Sequence, residues 1–300
     1  MSNYNKGFLY FICSVSAMGG LLFGYDWVVI GGAKPFYELY FAISDSPLMQ
    51  GVAMTTALVG CLVGAMVAGS AADKYGRKPL LMLSAVLFTV SAIATGLFND
   101  FTLFNIARFI GGVGIGVASA LAPMYIAEVS PAEIRGRMVS LNQMTIVLGI
   151  LSAQIVNMLL ARDTTVAESQ AWNIEWGWRW MFWAETLPAA LFLLMSFFIP
   201  ESPVYLKMKG SQGDRQVTTP LSELFQNKYG KVLLLGLVIA VFQQWCGTNV
   251  IFNYAQEIFV GAGFDVDGMF INIVITGIPT CCLLSSHFTP LRNGDVARLY

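Results

Sequence analysis

The sequence predicts an all-α membrane protein that crosses the bilayer eight times. Three observations predict it: composition, a series of apolar segments of spanning length, and the sidedness of the basic residues. Of the 300 residues, 56% are hydrophobic and 12% charged, about half the roughly 25% charge of a soluble domain, and mean hydropathy is +0.64. Apolar segments at 8–31, 49–72, 79–98, 102–126, 138–160, 179–199, 232–259 and 268–285 each come near the roughly 20 residues a helix needs to cross hydrocarbon. With the N-terminus in the cytoplasm, Lys6, Lys74, Arg77, Lys78, Arg135, Arg137, Lys207, Lys209, Arg215, Lys228 and Lys231 lie inside. Lys34, Arg162 and Arg179 then lie outside, which is the positive-inside asymmetry.

Composition also excludes classes. A net charge of −1 leaves no basic stripe to displace counterions from phosphates, so no nucleic-acid partner is expected. The five cysteines, Cys13, Cys61, Cys246, Cys281 and Cys282, are odd in number and lack disulfide or zinc spacing, and read as packing residues. The single His287 has no thiol or base beside it, so neither enzyme chemistry, metal nor cofactor is expected. The first apolar run follows one Lys and no cleavage-like site and exceeds a signal-peptide core, so the first span is expected to be retained.

Taken in order, the spans carry charge where hydrocarbon disfavours it. The run Gly7 to Ile30 contains Asp26, and an ionisable group in a span costs at least about 2.5 to 3.5 kcal/mol on insertion scales, so it marks a partner, a cavity or a path. Spans 2 and 3 are joined by GSAADKYGRK, where small Gly69 and Gly76 admit close approach of helix ends and Asp73 can pair with a basic group near Arg77 and Lys78. Span 4 carries Arg108 and is followed by EVSPAEIRGR, which supplies Glu128, Arg135 and Gly136 at the same membrane face. Span 6 carries Glu185 in WRWMFWAETLP. A solvated, basic loop is the plain alternative for either connection taken alone.

GxxxDxxGRK after span 2, ExxxxxxRG after span 4, PESP (Pro200 to Pro203) after span 6 and FQQWCGTN (Phe242 to Asn249) in span 7 together resemble the sugar porter branch of the major facilitator superfamily. GGLLFGYD, ARFIGGVGIG and PMYIAE resemble its bacterial proton-coupled xylose symporters. The likeness runs from about Gly19 to Gly277. It implies the major facilitator fold, with residues 1–200 as a complete N-terminal six-helix bundle, 201–231 as a cytoplasmic linker, and 232–279 as the first two helices of a C-terminal bundle. It further implies a monomer in the cell inner membrane, opening a midplane site alternately to each side.

Helix direction puts Asp26, Arg108 and Glu185 at one depth. An Arg beside two carboxylates in low dielectric holds one ionised and leaves the other easier to protonate, so a proton could free Arg108 from Asp26. The resemblance places the proton-coupling acid at Asp26 and implies monosaccharide and proton as partners, carried as xylose-like pentose or hexose. A static buried salt bridge is the alternative for the pair, and a passive uniporter or a non-transporting sugar sensor the alternatives for the chain. Sugars need amides and an aromatic wall. By resemblance Phe23, Gln243, Gln244 and Asn249 are the sugar contacts; Trp245, by its proximity to them, and Gln154 and Asn253, where the sequence departs from the family, are secondary candidates. The resemblance further implies that Gly69, Asp73, Gly76, Arg77, Lys78, Glu128, Arg135, Gly136 and Glu201 form a conformational gate.

The sequence departs from the family at Ile150, where a sugar-binding glutamine is usual and Gln154 stands one turn on, at Asn253, where the xylose symporters have Tyr, and at Val204, usually Arg. The resemblance stops at Pro279, so residues 280–300 read as an aberrant tail and the chain as truncated, with transport in doubt. A reading-frame slip, by which suitable codons for Thr280 to Leu299 read one base earlier would restore an apolar span and a Gly-Arg-Arg loop, is the expectation for this tail, and a divergent but genuine tail the alternative.

Overall fold

Small residues set how the spans pack. The computed structural model describes residues 6–162, 167–210 and 227–247. Among the described residues, five helices are long and apolar enough to cross a membrane: α1 (Lys6–Tyr40), α2 (Pro47–Tyr75), α3 (Arg77–Leu97), α4 (Phe101–Val129) and α5 (Arg135–Leu160). Along the α2/α4 seam a Cβ on Gly112 would stand 2.1 Å from the Ala57 carbonyl oxygen, and one on Gly116 2.1 Å from that of Cys61. Along α1/α5, a Cβ on Gly24 would stand 1.9 Å from the Ile146 carbonyl oxygen and one on Gly149 2.0 Å from that of Leu21. Backbone lies on backbone in both seams, the packing that small residues make possible where no hydrophobic force drives helices together. The opposite face of α2, with Leu62, Met66 and Val67, is exposed and apolar, as a face turned to lipid must be.

The first span is longer than its apolar run. The sequence reading ends it at 31 and puts Lys34 in an outer connection; α1 instead continues to Tyr40, and Lys34 is buried within it, 3.9 Å from Glu38 one turn on. The extension is held because it covers Phe104 and Trp178 with Tyr37, Tyr40 and Phe41. Arg179, also placed outside by the sequence reading, is buried as well.

The sixth span is not one helix. It comprises α6 (Ala167–Trp172), a π turn over Asn173–Gly177, α7 (Trp178–Ala184) and α8 (Thr186–Ser196). Pro188 has no N–H to give the Ala184 carbonyl and its ring crowds that oxygen, so the ladder breaks there and the Glu185 amide turns to Phe182 instead, at 3.1 Å. Glu185 therefore sits at the joint between α7 and α8. After the PESP segment come α9 (Pro203–Gly210) and α10 (Asn227–Trp245), whose described side chains are exposed from Leu234 to Gln243. The eighth span and the tail at 280–300 lie outside the described residues.

Two apolar clusters fill the bundle. One runs from Leu9 to Leu22 on α1, through Ile115 to Ile126 on α4, and Ala189 to Phe192 on α8. The other runs from Tyr25 on α1, past Phe104 on α4, to Phe182 on α7. Between them, on all three elements, lies a layer of charge.

Candidate functional site

That layer is Asp26, Arg108 and Glu185, each no more than 4% exposed. Arg108 Nη1 donates to Asp26 Oδ1, and the buried Glu185 carboxyl lies close enough to interact electrostatically with both Asp26 and Arg108. The guanidinium lies over the Phe182 ring at 5.3 Å, while its buried Nε has no hydrogen-bond partner among the described residues. The structure thus brings together the three ionisable residues expected at one depth. It does so because the Pro188 break places Glu185 against α1. A crevice of about 20 Å3 between α1, α2 and α4, lined by Asp26, Trp27, Met54, Cys61 and Arg108, reaches the pair and has room for about one water molecule.

The sugar-binding candidates are less gathered. Phe23 is half-buried on α1, its ring edge-on to Trp27 at 5.9 Å, so it adjoins the crevice through that ring. Gln154 is buried on α5, and Ile150 packs into the Phe104 cluster. Gln243 and Trp245 are exposed on α10, where Trp245 meets Phe242 edge-on at 6.0 Å. The Gln244 side chain, Asn249 and Asn253 lie outside the described residues. The sequence reading passed over Gln143, an exposed amide within α5 beside Asn142, which packs on Gly20 of α1.

At the end of the bundle where α2 meets α3, several of the residues expected to form a gate make one network around Arg77. Its Nη2 lies 3.1 Å from Asp73 and 3.1 Å from Glu128, its Nε 3.1 Å from the other Glu128 oxygen, and its Nη1 donates to the Ala72 carbonyl at 3.0 Å. Ser202 of the PESP segment shares a hydrogen bond with Glu128. Glu201 accepts the backbone N–H groups of Arg77 at 2.9 Å and Lys78 at 3.2 Å, supplying the acceptor that the first turn of α3 lacks. Gly76 permits this with φ 101°, and a Cβ there would stand 2.4 Å from the Glu201 carboxylate. Lys78 Nζ donates to the Phe197 carbonyl at 2.8 Å and Tyr205 Oη to that of Lys74 at 3.3 Å.

Three expectations change here. Arg135 is exposed and donates to the Ser130 carbonyl at 3.5 Å, so the guanidinium beside Glu128 is that of Arg77. Gly69 has nothing within 4 Å of a built Cβ, so the close approach expected there is made by Gly76 alone. Val204 is exposed, and the Arg77–Glu128 pair closes without an arginine at that position.

The model of the family described as "Sugar (and other) transporter" matches residues 12–219 and 209–289. This chain belongs to that family. The second match runs past Pro279, where the sequence reading ends the resemblance. The "Glucose transport protein" of Synechocystis sp. is 38% identical over 307 residues, covering 92% of this chain and 64% of the relative. The "D-xylose-proton symporter" of Escherichia coli is 33% identical, covering 92% and 65%. This chain of the sugar transporter family therefore spans about 64% of the length of such relatives. Among solved structures, the proton:xylose symporter XylE bound to 6-bromo-6-deoxy-D-glucose aligns with a TM-score of 0.79 at 31% identity, over 97% of this chain and 70% of that one. The partially occluded inward-open XylE from E. coli aligns at 0.75 and 32%, over 91% and 71%. The fold is that of the major facilitator superfamily.

Proposed function

We propose that this member of the sugar transporter family carries a monosaccharide, a pentose or hexose, across the cell inner membrane together with a proton, with its N-terminus in the cytoplasm. The observation that carries the reading is the buried layer of Asp26, Arg108 and Glu185, two acids and one guanidinium within reach of each other. Such a set can exchange partners when a proton arrives: protonation of Asp26 releases Arg108 toward Glu185. Neutralising a buried charge beside the joint between α7 and α8 then changes how these helices hold α1. The Arg77 network, which ties α2, α3 and α4 to the PESP segment, is the contact that opens and closes as the site alternates. Phe23 and Gln154 supply the sugar contacts of this half, and Gln243, Gln244 and Asn249 those of span 7. The reading is supported by membership of a transporter family and by relatives named for sugar and proton transport.

The test is uptake of labelled xylose, arabinose and glucose into proteoliposomes holding the chain, under an imposed inward proton gradient. Accumulation above equilibrium that collapses with an uncoupler is expected. Equilibration indifferent to the uncoupler would establish passive uniport instead, and sugar binding without flux a sensor.

A further inference from the structure

The joint between α7 and α8 leaves a second carbonyl without its ladder donor. Within a helix the Met181 carbonyl would accept the N–H of residue 185, but the Glu185 amide turns to Phe182 at 3.1 Å. The hydroxyl of Tyr25 takes that place, donating to the Met181 carbonyl at 3.2 Å from 156 positions away. A buried carbonyl with no donor is costly, and Tyr25 is itself buried on α1. Its backbone is also fixed. A Cβ on Gly149 of α5 would stand 3.0 Å from the Tyr25 nitrogen, so the phenol reaches α7 from the clamped α1/α5 seam.

What this bond positions is the layer of charge. Met181 and Glu185 are one turn apart, and Tyr25 precedes Asp26, so α1 meets the joint at two successive residues, once by a hydrogen bond to backbone and once by charge. Phe182, next to Met181, accepts the Glu185 N–H on its carbonyl and carries the ring beside the Arg108 guanidinium. The charged and titratable groups facing Glu185 are Asp26 and Tyr25 from α1 and Arg108 from α4, and Cys61 on α2 faces Asp26. The helices α3 and α5 carry charge only in their first turns, at the gate end.

From these contacts we infer that Tyr25 is a positioning residue for the proton switch: its hydroxyl holds the α7/α8 joint where Glu185 stays in range of Arg108, so that the guanidinium has a second carboxyl to move to. The inference rests on the transport reading for its effect on coupling, and on the structure alone for the contact. Removing the hydroxyl leaves the Met181 carbonyl without a donor and frees the joint to shift away from α1.

The experiment compares the full chain with Tyr25→Phe in proteoliposomes. Tyr37→Phe is the control for losing a buried phenol hydroxyl from α1, since Tyr37 Oη donates to Met54 Sδ at 3.5 Å, about three turns further along the helix. Tyr25→Phe is expected to lower proton-driven accumulation by between about twofold and tenfold, the weight of one net hydrogen bond, and to flatten its pH profile. Exchange between equilibrated compartments and the sugar KM should stay those of the parent, and Tyr37→Phe should keep the parental profile. A Tyr25→Phe profile equal to the parent's overturns the inference, as does equal flattening in Tyr37→Phe. Thermal unfolding in detergent needs no transport. There Tyr25→Phe and Glu185→Gln, coupled through the joint, should shift the midpoint non-additively when combined, and additive shifts overturn the positioning role. If the parent accumulates no sugar, the failure belongs to the transport reading, and additivity alone decides on Tyr25.

Discussion

Glu201 caps α3 from a position 124 residues away, its Oε1 2.9 Å from the Arg77 amide. A helix of 21 residues thus begins with an acceptor brought to it by the segment after the sixth span, and the charge also suits the positive end of the helix dipole. Replacing Glu201 with Ala is expected to lower stability by about 1 to 2 kcal/mol. Gln, which keeps an acceptor oxygen but no charge, should fall between. Thermal unfolding in detergent measures both, and a midpoint for Glu201→Ala equal to that of the parent would show that the cap contributes nothing.

The α2/α4 seam predicts a sharp contrast between two glycines of similar sequence context. Gly112→Ala forces a methyl into the Ala57 backbone and should cost about 1 to 3 kcal/mol. Gly51→Ala, with nothing within 4 Å, should be neutral or stabilise α2 by up to about 1 kcal/mol. The same unfolding measurement ranks them, and a milder effect at Gly112 than at Gly51 would contradict the backbone contact.

Asp26→Asn removes the acid that Arg108 holds while leaving an acceptor of the same shape. On the proposed proton-coupled reading, uptake by the parent should rise as the pH on the sugar-loaded side falls, because the co-transported proton would be drawn from that side. In the variant the profile should flatten, with sugar exchange between equilibrated compartments retained. Glu185→Gln should also reduce the pH dependence if the two acids share the guanidinium, and an unaltered profile in both variants would leave the cluster a static pair.

Arg179 shows how a cation can be buried with no ion pair among the described residues. Its Nη1 donates to the Gly96 carbonyl at 2.7 Å, its Nη2 to Asn99 at 2.8 Å and its Nε to the Glu175 carbonyl at 2.9 Å, and its guanidinium lies 4.6 Å and 4.9 Å from the ring centres of Trp178 and Tyr40. Lys cannot reproduce three divergent donors or the planar stacking. Arg179→Lys is expected to cost about 2 kcal/mol, read as a lower unfolding midpoint, whereas a surface arginine such as Arg137 should tolerate the same change.

The charges inside apolar runs were the most legible part of the chain, because hydrocarbon leaves so few reasons for Asp26, Arg108 and Glu185 to exist. What sequence spacing could not show is who meets whom. Glu128 lies seven positions from Arg135 in the chain, yet Arg77 reaches it across 51, since α2, α3 and α4 converge where their connections are short. Span ends were misjudged for a different reason. Apolar runs stop at Lys34 and Arg179, but in a bundle a long basic side chain can be satisfied by carbonyls, rings or an acid one turn away, so the helix continues beyond the run. The break at Glu185 was readable in principle from Pro188, three positions on.

The glycine contacts carry one more consequence. Where two backbones touch with no side chain between them, neither helix can slide or roll without driving carbonyl oxygens into its neighbour. With α2 fastened to α4 and α1 fastened to α5 in this way, each pair is constrained to travel as a unit, and any rearrangement of the bundle must be hinged outside these two seams.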